Sequence, residues 1–297
     1  MLLVLALTAT LFASDTDTTF TVQRGQRLEL STHAGDIVVH TWARNAVRVQ
    51  ASGSSRFHVA IDQTASLVSI HSAGGRSGPP NLDYQLTVPT WMAIRLSGVT
   101  ADMRVDGVQG PVNAETVEGD VVVVGGGGLV SLRSVEGDVS LTDAKGKIDV
   151  NSVNSDVNVR NVSGEVQAET VNGDVNLIQV QSDNVEANTV NGDVNYDGTI
   201  RANGRYRLTT HNGEVTVVIP EGTGAQVSVS TFEGDFESAF PVTLTERHGR
   251  RFDFTIGNGS ARIELESFGG TIRLVRPGGL RAREREEEKE KHRDHDE

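Results

Sequence analysis

Between residues 92 and 181, apolar and polar positions recur with a period of nine, so regularly that ten consecutive units align without a gap. With the first residue of each unit as position 0, apolar residues fall at positions 2, 4 and 7. Ile148, Val150 and Val153 occupy them in one unit, Val157, Val159 and Val162 in the next, and Val166, Ala168 and Val171 in the third. Positions 2 and 4 alternate with polar neighbours, the period of a strand that buries one face. Gly, Asn and Asp gather at positions 8, 0 and 1, where they tolerate the positive φ of a tight corner. Each unit therefore predicts one short strand and one corner. A stronger motif, Val-Glu/Asn-Gly/Ser-Asp-Val, marks every second unit at 117–121, 135–139, 153–157 and 171–175, so the full repeat is 18 residues.

A strand of four or five residues cannot bury its apolar face alone, so successive units must stack. The corners are too short to hold a helical crossover, which excludes alternating strand–helix architecture. The fold expected is all-β, a single-stranded right-handed parallel β-helix with about 18 residues and two short strands per coil. After residue 181 the ruler continues with inserts: one extra residue before the unit at Asp183, three before Gly204 and three before Ala225. All three lengthen units of the same alternate set. They are expected to project from one face, where two readings are open: a binding face, as insertions often mark in repeat proteins, or drift at a tolerant surface corner. The candidate binding residues are Ser182, Asp197, Thr199, Glu221 and Thr223, beside a half-buried Tyr196.

Outside the regular region the pattern loosens. Residues 2–13 form an uncharged apolar run that ends in Phe12-Ala13-Ser14, which reads as a signal peptide over residues 1–14. A run of about 12 residues is too short to span a bilayer, and no later segment is as apolar, so the mature chain is expected to have no transmembrane segment. Residues 15–90 repeat the chemistry with uneven spacing, through Leu28, Leu30, Ile37, Val39, Val47 and Val49. They are expected to form irregular coils that cap one end of a regular β-helix at 91–276, because a solenoid must hide its open edge. The register is lost between residues 240 and 260 and returns at Ile263 and Leu265. Residues 277–297, almost wholly charged, read as a solvated, disordered tail.

Composition narrows the chemistry. With no Cys there is no disulfide framework, thiolate metal site or thiol nucleophile. A formal net charge of -13 argues against a nucleic-acid surface. The eight His are scattered, pairing only at His292 and His295 in the tail, and His211 sits at position 7, where an inward direction is expected. The Gly run at 125–128 lacks the Gly-Lys-Ser/Thr of a phosphate loop, and neither a Ser/His/Asp elbow nor His-Glu-x-x-His is present. Neither metal nor cofactor is expected.

Position 1 carries the sharpest chemical pattern. In the motif-bearing units it holds Asp102, Asp120, Asp138, Asp156, Asp174, Asp193, Glu214 and Asp235, whereas the interleaved units hold one acid, Glu165. Stacking builds these into an acidic column along one edge. Two roles are open to it: hard-cation binding by several carboxylate oxygens, or corner closure by bonds to nearby main-chain N–H groups. Like charges about 5 Å apart cost only about 0.8 kcal/mol per pair in water, and the Gly-Gly-x-Gly-x-Asp signature of calcium-binding β-rolls is missing, which favours corner closure. The Asn members of the preceding position, Asn154, Asn172, Asn191 and Asn212, are placed to hydrogen-bond between coils as a ladder.

The chain resembles the bacterial exported putative adhesin family, β-helical domains of unknown function. The resemblance rests on residues 28–39 with Gly35-Asp36-Ile37, on Trp42 followed by Val47 and Val49, and on Tyr84-Gln85-Leu86-Thr87-Val88-Pro89. It rests further on the repeated Val-Asn/Glu-Gly-Asp-Val and on the closing Gly269-Gly270-Thr271-Ile272-Arg273-Leu274. It covers residues 20–276. It implies the fold and export to the periplasm or cell surface, and brings no catalytic residues with it. The function expected is a non-enzymatic adhesin-like or scaffold protein that binds a protein or polysaccharide partner of the envelope. The alternative is a carbohydrate-active β-helix, a hydrolase or lyase working through carboxylates on a coil face. Uniform coils and scarce aromatics leave little cleft, which favours the first reading.

Overall fold

The computed structural model describes residues 8–10, 15–53, 57–74, 81–242, 244–248 and 251–280. These residues are all-β, without a helical element among them. Among the described residues no helix is long and apolar enough to cross a membrane. Most of the expected signal peptide and nearly all of the expected charged tail lie outside the described residues. The chain divides into two compact units, Met1–Ser155 and Asp156–Glu297.

In the first unit, Met103–Val108, Val121–Gly125 and Val139–Thr142 pair in parallel at an offset of 18 residues, with Val121 opposite both Met103 and Val139. A second parallel ladder joins Ala93–Ser97, Val112–Glu115, Gly127–Arg133 and Lys145–Asn151 at the same offset. The inward residues of both ladders, such as Val121, Val123 and Leu141 in one and Val112, Val130 and Ile148 in the other, are buried. In the second unit, Val157 opposes Val175, Val175 opposes Val194 and Val194 opposes Val215, so the offset grows from 18 to 19 to 21 as the extra residues enter. This is a solenoid-like arrangement of two short strands per repeat.

The nine-residue ruler hides two kinds of corner. In one set of units position 6 takes a left-handed backbone, at Gly107 (φ 83), Gly125 (φ 105), Asp143 (φ 61), Asn161 (φ 51) and Gln179 (φ 57). That residue breaks the strand alternation, so position 7 turns inward and Val108, Ala144, Val162 and Val180 are buried. In the other set, position 6 is a hydroxyl residue that itself points inward: Thr116, Ser134, Ser152, Thr170, Thr189 and Thr210 are all buried. Position 7 is then outside. Val117, Val135, Val153, Val171 and Val190 are exposed, Val117 to 44%. This corrects the expectation that position 7 is inward throughout. His211 is likewise exposed, stacked on the Phe268 ring at 4.7 Å.

The buried hydroxyls hold the second kind of corner closed. Ser134 Oγ donates to the Gly119 carbonyl at 2.9 Å, and Thr210 Oγ1 to the Gly192 carbonyl at 2.8 Å. Coils approach so closely here that a Cβ on Gly137, whose φ is +147, would lie 2.0 Å from the Gly119 carbonyl oxygen.

In residues 27–97 of the first unit and 205–275 of the second the chain abandons sequential winding. Arg27–Ser31 lies between Leu67–Gly74 and Ala93–Ser97, and Ile37–Trp42 between Leu82–Pro89 and Met103–Val108. In the second unit Ala261–Ser267 lies between Val194–Thr210 and Ala225–Thr231, and Ile272–Val275 between Val215–Val218 and Phe236–Ser238. A coil near each chain end is thus inserted inside a coil that is nearer mid-chain. Arg273 on the inserted strand reaches both neighbours, donating to Glu214 on one side and to Glu237 at 2.7 Å on the other.

Outside the inserted coils the pairing turns antiparallel. Ala46–Gly53 pairs with Asp15–Thr21 and Leu82–Pro89, and Phe57–Gln63 with Leu67–Gly74 and Thr8–Thr10. Residues 15–90 therefore hold antiparallel ladders around an inserted coil where irregular coils were expected. The stretch at 240–260 is the antiparallel pair Leu244–His248 and Arg251–Ile256, the latter also pairing with Ala225–Thr231.

Candidate functional site

The acidic residues of the repeat are occupied by the neighbouring coil. In the first unit Asp102 Oδ1 accepts the Asp120 main-chain N–H at 2.8 Å, and Asp120 Oδ1 accepts that of Asp138 at 2.8 Å. In the second, Asp156 accepts from Asp174 at 2.8 Å, Asp174 from Asp193 at 2.7 Å and Asp193 from Glu214 at 2.7 Å. Each carboxylate closes the next coil's corner rather than its own, a charge-assisted bond that offsets part of the like-charge repulsion. Asp235 stands apart from this run, because the inserted coil places Thr271 beside Val215, and the Asp235 carbonyl meets Ile272 instead. Among the described residues no three His, Asp or Glu gather closely enough to hold a metal ion.

Two amide ladders accompany the carboxylates. Asn191 Nδ2 donates to Asn172 Oδ1 at 2.8 Å and Asn212 Nδ2 to Asn191 Oδ1 at 2.9 Å, the ladder that the sequence predicts. A second one, Asn158–Asn176–Asn195 at 3.2 and 3.0 Å, runs on outward strand positions that the sequence reading passed over. Its signal was the recurrence of Asn one residue after the buried Val at 157, 175 and 194.

The lengthened units in 175–210 are fixed from the inside. Tyr196 and Tyr206 are fully buried, their ring centroids 5.7 Å apart, which corrects the expectation of a half-buried Tyr196. Tyr196 Oη donates to the Thr199 carbonyl at 2.8 Å. Tyr206 Oη donates to the Ser182 carbonyl at 2.8 Å and accepts the Arg201 N–H at 2.8 Å. Burial raises the pKa of both hydroxyls, so they remain protonated donors; the third tyrosine, Tyr84, is pushed by burial to about 12. Glycine makes room for the rings: a Cβ on Gly198 would meet Tyr196 Oη at 2.7 Å, and one on Gly204 would meet Tyr206 Oη at 2.8 Å.

Of the five candidate binding residues, Ser182 does not project. It is 1% exposed, and its Oγ donates to the Asn184 carbonyl at 2.7 Å and accepts the Asn184 N–H at 3.0 Å. Thr199 and Glu221 are exposed, Asp197 and Thr223 half-buried. Strand pairing brings Ser182 and Thr199 onto adjacent coils, with Gln181 opposite Thr199. Glu221 and Thr223 lie further along the same corner, with the segment 257–260 between: the Asn203 N–H donates to the Ser260 carbonyl, and Ser260 Oγ donates to the Gly224 carbonyl at 3.0 Å. Along this corner runs a groove of about 840 Å³, its lining including Asp183, Asn184, Arg205, Gln226, Ser260 and Arg262. The two arginines were not singled out from the sequence. Arg205 breaks the run of mostly uncharged residues at position 1 of its set, but the register that would place Arg262 beside it depends on the inserted coil.

The profile of the Toastrack DUF4097 domain matches residues 25–275, which takes in the ladders of each unit, both inserted coils and this corner. The chain belongs to the Toastrack DUF4097 family. Solved structures similar to this Toastrack chain include a putative adhesin from Bacteroides fragilis, 13% identical, covering 88% of this chain and 97% of that one at a TM-score of 0.43. A putative adhesin from Parabacteroides merdae is 11% identical, with 89% and 97% covered and a TM-score of 0.44. A putative lipid binding protein from Parabacteroides distasonis is 10% identical, with 89% and 97% covered and a TM-score of 0.29. No curated protein matches significantly. In this Toastrack chain the carboxylates and amides that recur with the repeat are engaged in coil-to-coil bonds, whereas the groove of the lengthened corner is lined by polar and charged side chains outside those ladders.

Proposed function

We propose that this Toastrack protein is an exported, non-enzymatic binding or scaffold protein of the cell envelope, working in the periplasm or at the cell surface. Its coils wind as a right-handed single-stranded parallel β-helix and carry a recognition corner for an envelope protein or polysaccharide. The observation that carries this reading is the internal anchoring of the corner by Tyr196 and Tyr206, whose hydroxyls bond the main chain at Thr199, Ser182 and Arg201. Extra residues at a tolerant surface need no such anchors; a fixed recognition loop gains affinity by having its ordering cost met in advance. The apolar run at residues 2–13 supports export. The engagement of the repeating acids by main-chain N–H groups supports a non-enzymatic role, since glycoside cleavage needs one carboxyl as proton donor and a second free to act on the other face of the sugar.

The test is capture of partners from an envelope extract with the full chain and with a variant whose lengthened corners, at 197–204 and 220–224, are cut back to the nine-residue ruler. Binding should weaken several-fold in a variant that keeps its far-ultraviolet circular dichroism and melting temperature. Undiminished binding by the folded variant would place recognition on a strand face instead. Cleavage of any member of a glycan panel would replace the binding reading with the carbohydrate-active one.

A further inference from the structure

We infer that the corner groove binds an acidic oligosaccharide, with Arg205 and Arg262 holding the acid group and Asn203, Gln226 and Ser260 available to the sugar hydroxyls. The inference rests on the binding reading above and adds the ligand class. Arg205 and Arg262 oppose each other on adjacent parallel strands, about 4.8 Å apart along the sheet. Like charges directly opposite destabilise a sheet; the stacked carboxylates of the repeat offset this by accepting the next coil's N–H groups, a compensation that the two guanidinium groups do not have. Several of the chain's other arginines are matched: Arg95 with Glu115, Arg133 with Asp149 and Arg251 with Asp253, while Arg24, Arg44 and Arg276 lie over aromatic rings. Among the described residues, Arg205 and Arg262 have neither kind of partner.

Two adjacent guanidinium forks suit a planar acid group, which each can bind through two parallel N–H bonds. The remaining lining selects a sugar over a lipid: amides and a hydroxyl from Asn184, Asn203, Gln226 and Ser260, with apolar surface only from Ala202 and Ala261. At about 840 Å³ the groove lies near the upper end of the roughly 300–1,000 Å³ common for small-molecule sites, more than an inorganic anion fills. Asn184 is steadied by donating to Glu165 at 3.2 Å. The arginine-bearing strand leaves a corner that Tyr206 holds at Arg201, so Arg205 starts from a fixed backbone. Asp183, on the groove wall, opposes an anion and sets a limit on affinity. The formal charge of -13 opposes approach from afar, but at 0.15 M salt that repulsion is screened beyond about 8 Å and leaves the contact itself intact.

The experiment is calorimetric titration of the full chain at 0.15 M salt with a galacturonate octasaccharide, a sulfated octasaccharide, neutral malto-octaose and inorganic phosphate. One or both acidic sugars should bind at least tenfold more tightly than malto-octaose, the tighter of the two naming the acid group. Arg205→Ala with Arg262→Ala should lower that affinity at least tenfold without lowering the melting temperature, and Asp183→Asn should raise it several-fold. Arg262→Glu should abolish binding while holding or raising the melting temperature, because it puts an opposite charge beside Arg205. Equal binding of the neutral sugar, undiminished binding by the double alanine variant, or binding of phosphate alone would overturn the inference. Were acidic sugars not to bind while envelope partners were still lost on shortening the corner, the ligand class would fall and the binding reading would stand.

Discussion

A phenol oxygen buried beside a main-chain carbonyl decides how the long corner is held. Tyr206 Oη makes two bonds in the interior, to the Ser182 carbonyl and from the Arg201 N–H, and removing it leaves both groups without the partner they have. Tyr206→Phe is expected to cost about 1–3 kcal/mol of stability, more than Tyr196→Phe, which removes the single bond to Thr199. Urea unfolding of both variants checks the order, and a Tyr206→Phe protein as stable as the parent would refute the anchoring role. A second residue-scale effect is electrostatic. Partial desolvation of the exposed Asp36 side chain, then the charges of Asp102 and Asp83, hold its pKa above the ordinary value. A raised carboxyl pKa means that the ionised form is disfavoured by folding, so at neutral pH Asp36 costs stability. The cost fades as pH falls through the raised value and is gone below the ordinary range, where the group is protonated in both states. Asp36→Asn should therefore raise the melting temperature at pH 7 and leave it unchanged near pH 3. A stabilisation equal at both pH values would mean that the effect is not one of charge.

At the scale of a strand and its corner, the two classes of valine give opposite expectations for the same substitution. Val121→Asp places a charge in a fully buried column between Met103 and Val139, and is expected to cost several kcal/mol. Val117→Asp, four residues earlier in the same motif, falls on the exposed corner and should stay within about 0.5 kcal/mol of the parent. Thermal melts of the pair test the corner assignment directly, and equal losses would overturn it. The nine-residue period made strands, corners and the 18-residue repeat legible, because positions 2 and 4 read the same in both sets of units. It could not separate the corners, since Val stands at position 7 in both. The distinguishing signal lay one residue earlier, in Gly107, Gly125, Asp143 and Asn161 against Thr116, Ser134 and Ser152. A residue that tolerates left-handed backbone flips the alternation, whereas a hydroxyl that finds a carbonyl inside preserves it. The anchoring of the long corner was half legible: its extra residues were countable, but the inward direction of both tyrosines follows only from where the added chain has to turn.

The largest departure from the sequence pattern appears at the scale of the whole chain, in the inserted coils. In a solenoid wound in strict order, the coil at each end has a neighbour on one side only, and its outer edge can fray or recruit another strand. Here Ala261–Ser267 and Ile272–Val275 each have parallel neighbours on both sides, and Arg273 ties Glu214 to Glu237 across them. Nothing in the residues 225–238 marks them as the outer coil, because their pattern is that of any other unit; the exchange depends on contacts between segments some 50 residues apart. Its consequence is that the end of the second unit depends on a late stretch of sequence. A chain ending at residue 280 retains every described ladder of that unit and is expected to melt with the full chain. A chain ending at residue 259 loses the inserted coil, so Tyr206, Leu208, Val215 and Val217 give up their outer strand neighbours, and Ala225–Thr231 loses its parallel one. In amide hydrogen exchange the longer chain should protect Val215–Val218 strongly, whereas in the shorter one that protection should fall by orders of magnitude, together with that of Ala225–Thr231. Were Val215–Val218 to stay protected in the shorter chain, strand Phe236–Ser238 would have moved inward to pair with it, and the out-of-order coil would be dispensable to the fold.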